Sequence, residues 1–267
     1  MERDPAGRDP ARIPGRTASG RIEALRERLS VRDAAPDAAP RPVLPLGLSE
    51  LDARLPGGLA LGVPHEVAPA EPDDRAAALG FALALCAQHL DGGPGEALVA
   101  AAGQRSAPPL PHGHGLFALG LDPGRVLLLE AGDDAEVFRA LEAALRARCL
   151  RAVVGLVAGG LPLRAGRRLQ LAGEGPEPPL VLILRPTGPG PPNGAATRWR
   201  IAAAPAALDR FGCLAGPRWR VELDRCRNGR GGDWILEWDR AARRLRLPDR
   251  LAGDAAAPIP AHGRARA

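Results

Sequence analysis

The chain offers few residues whose type and spacing suit enzyme chemistry. Lysine is absent although arginine is abundant, so neither a Schiff-base lysine nor the phosphate-loop pattern GxxxxGK[ST] can exist. His112 and His114 are closely spaced, but zinc needs three or four ligands and no third lies near them in sequence. No serine stands in a GxSxG setting, so nucleophilic catalysis has no candidate. These residue types predict a protein that is not an enzyme and that holds neither a metal ion nor a cofactor.

The cysteines and the N-terminal residues indicate the compartment. None of the four cysteines, Cys86, Cys149, Cys213 and Cys226, stands in a CxxC pair, and we expect all four to be reduced. The first residues carry charges and prolines rather than the apolar stretch of a signal peptide. No apolar run reaches the roughly 18 residues that a membrane helix needs. The sequence therefore predicts a cytoplasmic protein with no contact to a membrane.

Positive charge is concentrated towards the C-terminal end. The formal net charge is +5, and residues 195–245 carry eleven arginines against six acidic residues. Two Arg-Trp-Arg triplets lie there, centred on Trp199 and Trp219, and in a strand each tryptophan points away from its arginine neighbours. One interpretation is a basic face for phosphates or an acidic partner, and the other is a tryptophan core with solvated arginines outside. The candidate contact residues are Arg198, Arg200, Arg218, Arg220, Arg225, Arg227 and Arg230.

Length and patterning divide the 267 residues into one domain with two tails. Residues 1–43 are rich in Arg, Asp and Pro and are predicted to be a flexible segment. Residues 44–245 are predicted to form the core, and residues 246–267 a loose C-terminal tail.

One short amphipathic helix is predicted inside the N-terminal segment, at residues 20–30. It places Ile22, Leu25 and Leu29 on one face. A helix of this length is not stable alone in water, so we expect this face to dock on something, with a partner protein as the candidate.

Between the tails, apolar strands alternate with helices. Strands are predicted at 62–68, 97–101, 126–129, 152–158 and 180–184, and helices from Asp73 or Asp74 to about His89 and at 116–121, 134–148 and 164–172. Continuously apolar strands that alternate with helices indicate a parallel sheet covered on both faces. Beyond residue 196 the strands alternate or end in turns such as NGRGGD (228–233), which indicates an antiparallel extension of the sheet.

Six segments follow one another in an informative order. They are LPLGLSELDARLPGGLALGVPHEVA (44–68), AAALGFALAL (76–85), GLFALGLDPGRVLLLE (115–130), AALRARCLRAVVG (143–155), ATRWRIAAAP (196–205) and WRVELDRCRNGRGGDWILEWD (219–239). Together they resemble the RecA-like recombinase core and, more specifically, the ImuA family, the RecA-like accessory proteins of bacterial mutagenic DNA repair. The resemblance covers most of residues 44–239. It implies an α/β fold whose RecA-like core has a mostly parallel sheet flanked by helices and a C-terminal antiparallel extension.

The resemblance also locates the segment where RecA-like proteins carry the phosphate loop. Such a loop needs glycine N–H donors, a lysine and a magnesium-binding Ser or Thr. The segment here has no glycine, two prolines, three acidic side chains and one cation, so the resemblance implies a degenerate loop without ATP hydrolysis. Its residues include Ala68, Pro69, Glu71, Asp73, Asp74 and Arg75.

Two further positions agree with this interpretation. The strand at 152–158, which matches the magnesium-linked strand, ends without an acid. Gln104 follows the strand after which recombinases carry a water-polarising glutamate, and an amide can hold a water but cannot act as a base. If the correspondence between this chain and the RecA-like proteins is shifted by several residues, Glu66 or Glu130 becomes an acid near the nucleotide position. No such shift restores the missing lysine.

The ImuA resemblance implies a non-catalytic adaptor in SOS-induced translesion synthesis. The implied partners are ImuB, a catalytically degenerate Y-family polymerase homologue, and through it an error-prone C-family DNA polymerase. RecA and DNA are further candidates. Two alternatives stay open: a DNA-binding modulator of recombinase filaments, favoured by the basic segment, and a cryptic RecA-like nucleotide-binding ATPase, favoured by the fold alone.

Overall fold

The structure is a computed structural model that describes residues 41–103, 110–188, 190, 193–206, 211, 214, 216–227 and 229–248. The helix predicted at 20–30, with Ile22, Leu25 and Leu29, lies outside these residues. So do Gln104 and the part of the C-terminal tail beyond residue 248.

Eleven strands and five helices form in the described part of the chain. The strands are β1 (Val43–Leu44), β2 (Leu59–Ala60), β3 (Pro64–Pro69), β4 (Glu96–Ala102), β5 (Val126–Ala131), β6 (Leu150–Leu156), β7 (Leu180–Leu184), β8 (Thr197–Ala204), β9 (Arg218–Cys226), β10 (Gly232–Asp239) and β11 (Arg244–Arg246). The helices are α1 (Ser49–Arg54), α2 (Arg75–Asp91), α3 (Gly113–Ala118), α4 (Asp134–Ala147) and α5 (Leu163–Gly173).

Nine of these strands form one mixed sheet in the order β11-β10-β9-β8-β3-β7-β6-β4-β5. The six strands from β8 to β5 run parallel, and β9, β10 and β11 continue the sheet in antiparallel fashion. The strands at the centre are continuously apolar because helices cover both faces of the sheet. The α/β fold with a mostly parallel sheet, flanking helices and an antiparallel extension, as expected for a RecA-like core, is therefore confirmed.

The two faces of the sheet carry separate apolar layers. Helix α2 lies on one face and is buried almost all round, as its alanine- and leucine-rich sequence predicts. On this face the Phe81 ring lies 6.1 Å from the ring of Trp199 and 5.7 Å from that of Trp219. Helices α4 and α5 cover the other face through residues such as Val137 and Leu169.

The β1–β2 pair and α1 explain the LPLGLSELD segment that opens the resemblance. The two carboxylate oxygens of Asp52 accept hydrogen bonds from the backbone N–H groups of Leu46, Gly47 and Leu48, at 2.8, 3.0 and 3.2 Å. This carboxylate holds the chain in a tight turn that inserts Leu46 and Leu51 into the core.

Several element bounds differ from the sequence predictions by one to three residues, and helix α3 differs most. Helix α3 was expected at 116–121 but spans Gly113–Ala118, because Gly120 takes a φ of +79° and the N–H of Leu121 returns to the carbonyl of Leu116. Strand β1 begins at Val43, the last residue of the segment predicted to be flexible. Strand β11 ends at Arg246, the first residue of the predicted tail.

Candidate functional site

The β3–α2 loop, residues 70–74, occupies the position where a phosphate loop was expected. The N–H of Ala70 donates to the carbonyl oxygen of Ile201 in β8 at 2.7 Å. Asp74 accepts from the N–H of Ala203 through Oδ1 at 2.8 Å and from the N–H of Glu71 through Oδ2 at 3.2 Å. A single 3-10 turn, Pro72–Asp74, then leads into α2. The loop thus lies along β8 and is fastened by its own carboxylate.

The other residues predicted for this loop fall around it. Ala68 and Pro69 are the last residues of β3 and pair with β8, so they belong to the sheet rather than to the loop. Glu71 and Asp73 are exposed, and Arg75 is the half-buried first residue of α2. The start of α2 therefore carries three carboxylates, which interact favourably with the helix dipole and disfavour a second anion.

A carboxylate also occupies the backbone donors that follow β6. Asp134, the first residue of α4, accepts from the N–H of Ala158 through Oδ1 and from the N–H of Gly159 through Oδ2, both at 2.8 Å. In parallel α/β sheets, ligands bind at this edge, beyond the carboxyl ends of the strands. Here those two donors already have an anionic partner within the protein. Strand β6 itself ends in Gly155 and Leu156, without an acid.

The buried carboxylate of Glu66 forms a charged cluster on the side of the sheet opposite α2. The Nε of Arg198 lies 2.8 Å from Oε2 of Glu66, and the Nε of Arg185 lies 3.8 Å from the same oxygen. Asn193 donates from Nδ2 to Oε1 at 2.7 Å. Burial lowers the pKa of the Arg185 guanidinium, and the Glu66 carboxylate opposes this shift. Two cations and one anion are thus held together where solvent does not reach Glu66.

This cluster fastens the β7–β8 connection. Nη1 of Arg185 donates to the carbonyl oxygens of Pro186 at 3.0 Å and Gly188 at 2.6 Å, and Nη1 of Arg198 donates to that of Gly190 at 3.3 Å. The charged side chains therefore hold the described part of the connection against the sheet.

His65, the neighbour of Glu66 in β3, lies in a second buried chain of hydrogen bonds. Its Nε2 lies 2.8 Å from the carbonyl oxygen of Ala60, which requires the proton on Nε2. Its Nδ1 then accepts from the hydroxyl of Thr197 at 2.7 Å, and that hydroxyl oxygen accepts from Nε1 of Trp199 at 2.6 Å. Burial lowers the pKa of His65 to about 4, despite the opposing bond to Ala60. The imidazole is a neutral structural group at pH 7.

The tryptophans of the two Arg-Trp-Arg triplets are core residues. Trp199, Trp219, Trp234 and Trp238 are all buried, and Trp238 donates from Nε1 to the carbonyl oxygen of Leu119 at 3.1 Å. The arginines point to the opposite face, as strand alternation predicts. The tryptophan-core interpretation is therefore correct for the indole rings.

The four arginines of these triplets all contact carboxylates. Arg198 contacts Glu66, and Arg218 lies 2.8 Å from Glu237. Burial acts to raise the pKa of Glu237, but the hydrogen bonds from Arg218 and Arg246 lower it on balance. The exposed pairs are Arg200 with Glu222 and Asp224, both at 3.6 Å, and Arg220 with Asp233 at 3.4 Å. Much of the positive charge on this face is thus neutralised within the protein.

The second basic cluster lies after these pairs, from the end of β9 into its turn to β10. Nη1 of Arg225 donates to the carbonyl oxygen of Asn193 at 3.4 Å, and Nη2 of Arg227 donates to that of Gly194 at 2.7 Å. Arg230 is exposed. Arg225 and Arg227 thus lie beside the β7–β8 connection rather than beside the β3–α2 loop.

Sequence reasoning missed Arg185, Asn193 and the role of Asp134. Glu66 and Arg198 lie in neighbouring strands, and a charged residue within a buried strand signals a buried partner. Arg185 directly follows the uninterrupted apolar strand β7. Asp133 caps α4, since its Oδ1 accepts from the N–H of Glu136 at 2.8 Å, whereas the neighbouring Asp134 bonds the backbone after β6. Glu130 lies exposed near the end of β5.

Comparison with known proteins decides the family. No family model matches the chain. Two curated relatives, each described as Protein ImuA, come from Caulobacter vibrioides strains NA1000 / CB15N and ATCC 19089 / CIP 103742 / CB 15. Each is 41% identical over 217 residues, which cover 74% of this chain and 84% of the relative. The chain belongs to the ImuA family.

In the described part of this ImuA-family chain, no helix is long and apolar enough to cross a bilayer. No three His, Cys, Asp or Glu side chains in that part of the chain lie close enough together to hold a metal ion. The rings of His112 and His114 stack at 5.2 Å, and Nδ1 of His112 accepts from the N–H of His114 at 3.4 Å at the start of α3.

Proposed function

We propose that this ImuA-family chain is a non-catalytic, RecA-like adaptor of the SOS-induced mutagenic translesion DNA synthesis machinery in the cytoplasm. It acts with an ImuB-type Y-family polymerase homologue and, through it, with an error-prone C-family DNA polymerase. RecA and DNA are secondary candidate partners. The family membership supports the place in the mutagenesis system, and the geometry of the β3–α2 loop supports the absence of catalysis.

The observation that carries the non-catalytic role is the double hydrogen bond of Asp74. Its carboxylate bonds the N–H groups of Glu71 and Ala203, so the loop is closed onto β8 by an anion of the protein itself. A nucleoside triphosphate there would meet three carboxylates and one arginine instead of glycine N–H donors and a lysine. The negative charges of the carboxylates oppose binding of the triphosphate. No hydroxyl in residues 68–76 is available to hold magnesium.

Asp134 supports the same role independently. It takes the N–H groups of Ala158 and Gly159, which would otherwise face the ligand edge of the sheet. The fold therefore keeps its RecA-like architecture while carboxylates of the protein occupy these backbone N–H donors. Such a scaffold can act by binding other proteins through its surface.

The test is co-purification of the full chain with the ImuB-type homologue from the same genome, without nucleotide, in about 0.3 M salt. This salt shortens the Debye length to about 6 Å and suppresses loose association by charge. A stable complex is expected, and addition of ATP with magnesium should not tighten it. Failure of the pure proteins to associate would overturn the adaptor role with this partner.

The second arm measures ATP hydrolysis by the purified chain with magnesium, with an intact RecA protein as positive control. No turnover above the buffer blank is expected. Magnesium-dependent hydrolysis that co-elutes with the chain would establish the ATPase alternative and overturn the non-catalytic role.

A further inference from the structure

The exposed side of α5 is made of leucine and arginine alone. At about 100° per residue, the five exposed side chains fall on one arc of about 140°. They are Leu163, Arg164, Arg167, Arg168 and Leu171. Leu163 is 65% exposed and Leu171 52% exposed, and Arg167 stands between them one turn from each. Two exposed leucines and three arginines are therefore interleaved on one face of the helix.

Core packing, an ion pair and a close backbone contact hold the helix in place. Leu169 is buried in the core, and Arg168 and Arg146 both contact the carboxylate of Glu142 on α4. At its C-terminal end, a Cβ added to Gly173 would come within 2.6 Å of the carbonyl oxygen of Gly62. Backbone contact this close fixes the position of the helix, so its exposed arc is a preformed surface.

Two of the three arginines on this arc have no acidic partner in the described part of the protein, whereas Arg168 is paired with Glu142. Helix α5 contains three arginines and no acidic residue. Arg164 and Arg167 form no ion pair with any described residue, in contrast to Arg198, Arg200, Arg218 and Arg220. The unpaired cations and the exposed leucines thus coincide on one helix face, which the sequence analysis did not single out.

We propose that this α5 face is a docking surface for a helix of a partner protein whose acidic and apolar side chains are interleaved. Anions opposite Arg164 and Arg167, and apolar groups opposite Leu163 and Leu171, would complement this face. Phosphates would satisfy the arginines but gain nothing from the leucines, so the surface fits a protein better than a nucleic acid. The inference rests on the proposed adaptor function, and its candidate partner is the ImuB-type homologue.

The test measures the affinity of full-length chain variants for the purified ImuB-type homologue by calorimetry. One variant carries Arg164→Glu and Arg167→Glu, and a second carries Leu163→Ser and Leu171→Ser. Each should weaken binding by at least about tenfold, because residues at the centre of an interface carry most of its affinity. A matched control carries Arg240→Glu and Arg244→Glu, two exposed arginines that form no ion pair with a described residue, and should bind within about twofold of the unmodified chain.

The outcomes distinguish failure of the α5 docking surface from failure of the adaptor function. If the unmodified chain binds and both α5 variants bind equally well, the surface is refuted while the adaptor function stands. If the unmodified chain does not bind, the adaptor function fails and the surface falls with it. All variants alter exposed residues, so their melting temperatures should match that of the unmodified chain.

Two other occupants of the α5 face would also overturn the proposal. A 30-nucleotide single strand that loses affinity for the Arg164/Arg167 variant, while binding of the homologue is unchanged, would identify a nucleic-acid surface. Reversible self-association in sedimentation that either α5 variant abolishes, again with unchanged homologue binding, would identify a second copy of this chain.

Discussion

Arg198 contacts Glu66 across the junction of β8 and β3, with 2.8 Å between its Nε and Oε2 of the carboxylate. Glu66 is fully buried, and the guanidinium of Arg198 also reaches the β7–β8 connection through Gly190. A residue that the sequence places in a basic triplet on a sheet surface is therefore part of the buried framework. Its charge balances an acid that would otherwise be isolated from water.

Removal of this guanidinium should destabilise the fold. Arg198→Ala leaves Glu66 with Asn193 and the more distant Arg185, and loss of one partner from a buried pair costs about 3 kcal/mol. The measurement is the free energy of unfolding in urea. The matched control is Arg220→Ala, which removes an exposed pair with Asp233 and should cost less than about 1 kcal/mol. Equal losses in the two variants would contradict the buried role of Arg198.

The two neighbouring acids of the β3–α2 loop should behave differently. Asp74→Ala removes both hydrogen bonds that its carboxylate accepts, while the bond from Ala70 to Ile201 remains. Because the lost bonds have a charged acceptor, the unfolding free energy should fall by about 2 kcal/mol. Asp73→Ala is the control, because Asp73 is exposed and its carboxylate accepts no hydrogen bond from a described residue. We expect no measurable change there. A destabilisation of the same size by Asp73→Ala would mean that loss of negative charge near α2, rather than the bonds of Asp74, is responsible.

The sequence was sufficient for the fold and insufficient for the polar contacts. Strand β7 was predicted residue for residue because an unbroken apolar run between turns has one interpretation, and α2 followed from its alanine- and leucine-rich run and the glycines after it. Which carboxylate holds which amide depends on elements far apart in sequence, as with Asp134 and Gly159. The segment order located the β3–α2 loop, but the loop residues gave no indication that Asp74 bonds β8.

Stability should fall as the pH is lowered from about 6.5 to about 4. Burial lowers the pKa of His65 to about 4, and burial with the nearby Arg151 charge lowers that of His89 to about 4. In this window the unfolded chain binds protons that the folded chain does not, so unfolding is favoured as pH falls. Each histidine contributes at most about 1.4 kcal/mol per pH unit.

The measurement is the urea unfolding free energy at several pH values between 7 and 4. The pKa values of Glu237 and Glu142 lie below their ordinary value of 4.5, so the stability that these carboxylates contribute is lost only as the pH falls through about 4.5 and below. The effect of the two histidines is therefore evaluated between pH 7 and pH 5. A flat profile from pH 7 to pH 5 would show that His65 and His89 are accessible to protons in the folded state.

The exposed arginines of the triplets should contribute little to binding. Arg200 and Arg220 lie within 4 Å of carboxylates on neighbouring strands, so their removal exposes acids and also removes cations. We expect the double variant Arg200→Ala and Arg220→Ala to bind the ImuB-type homologue and a 30-nucleotide single strand within about twofold of the unmodified chain. Arg198 and Arg218 are left in place because their ion pairs with Glu66 and Glu237 are largely buried. A tenfold loss of affinity for either ligand, with an unchanged melting temperature, would instead make the arginine face of β8 and β9 a contact surface. The salt dependence of the lost affinity would then distinguish contacts with phosphates from contacts with protein.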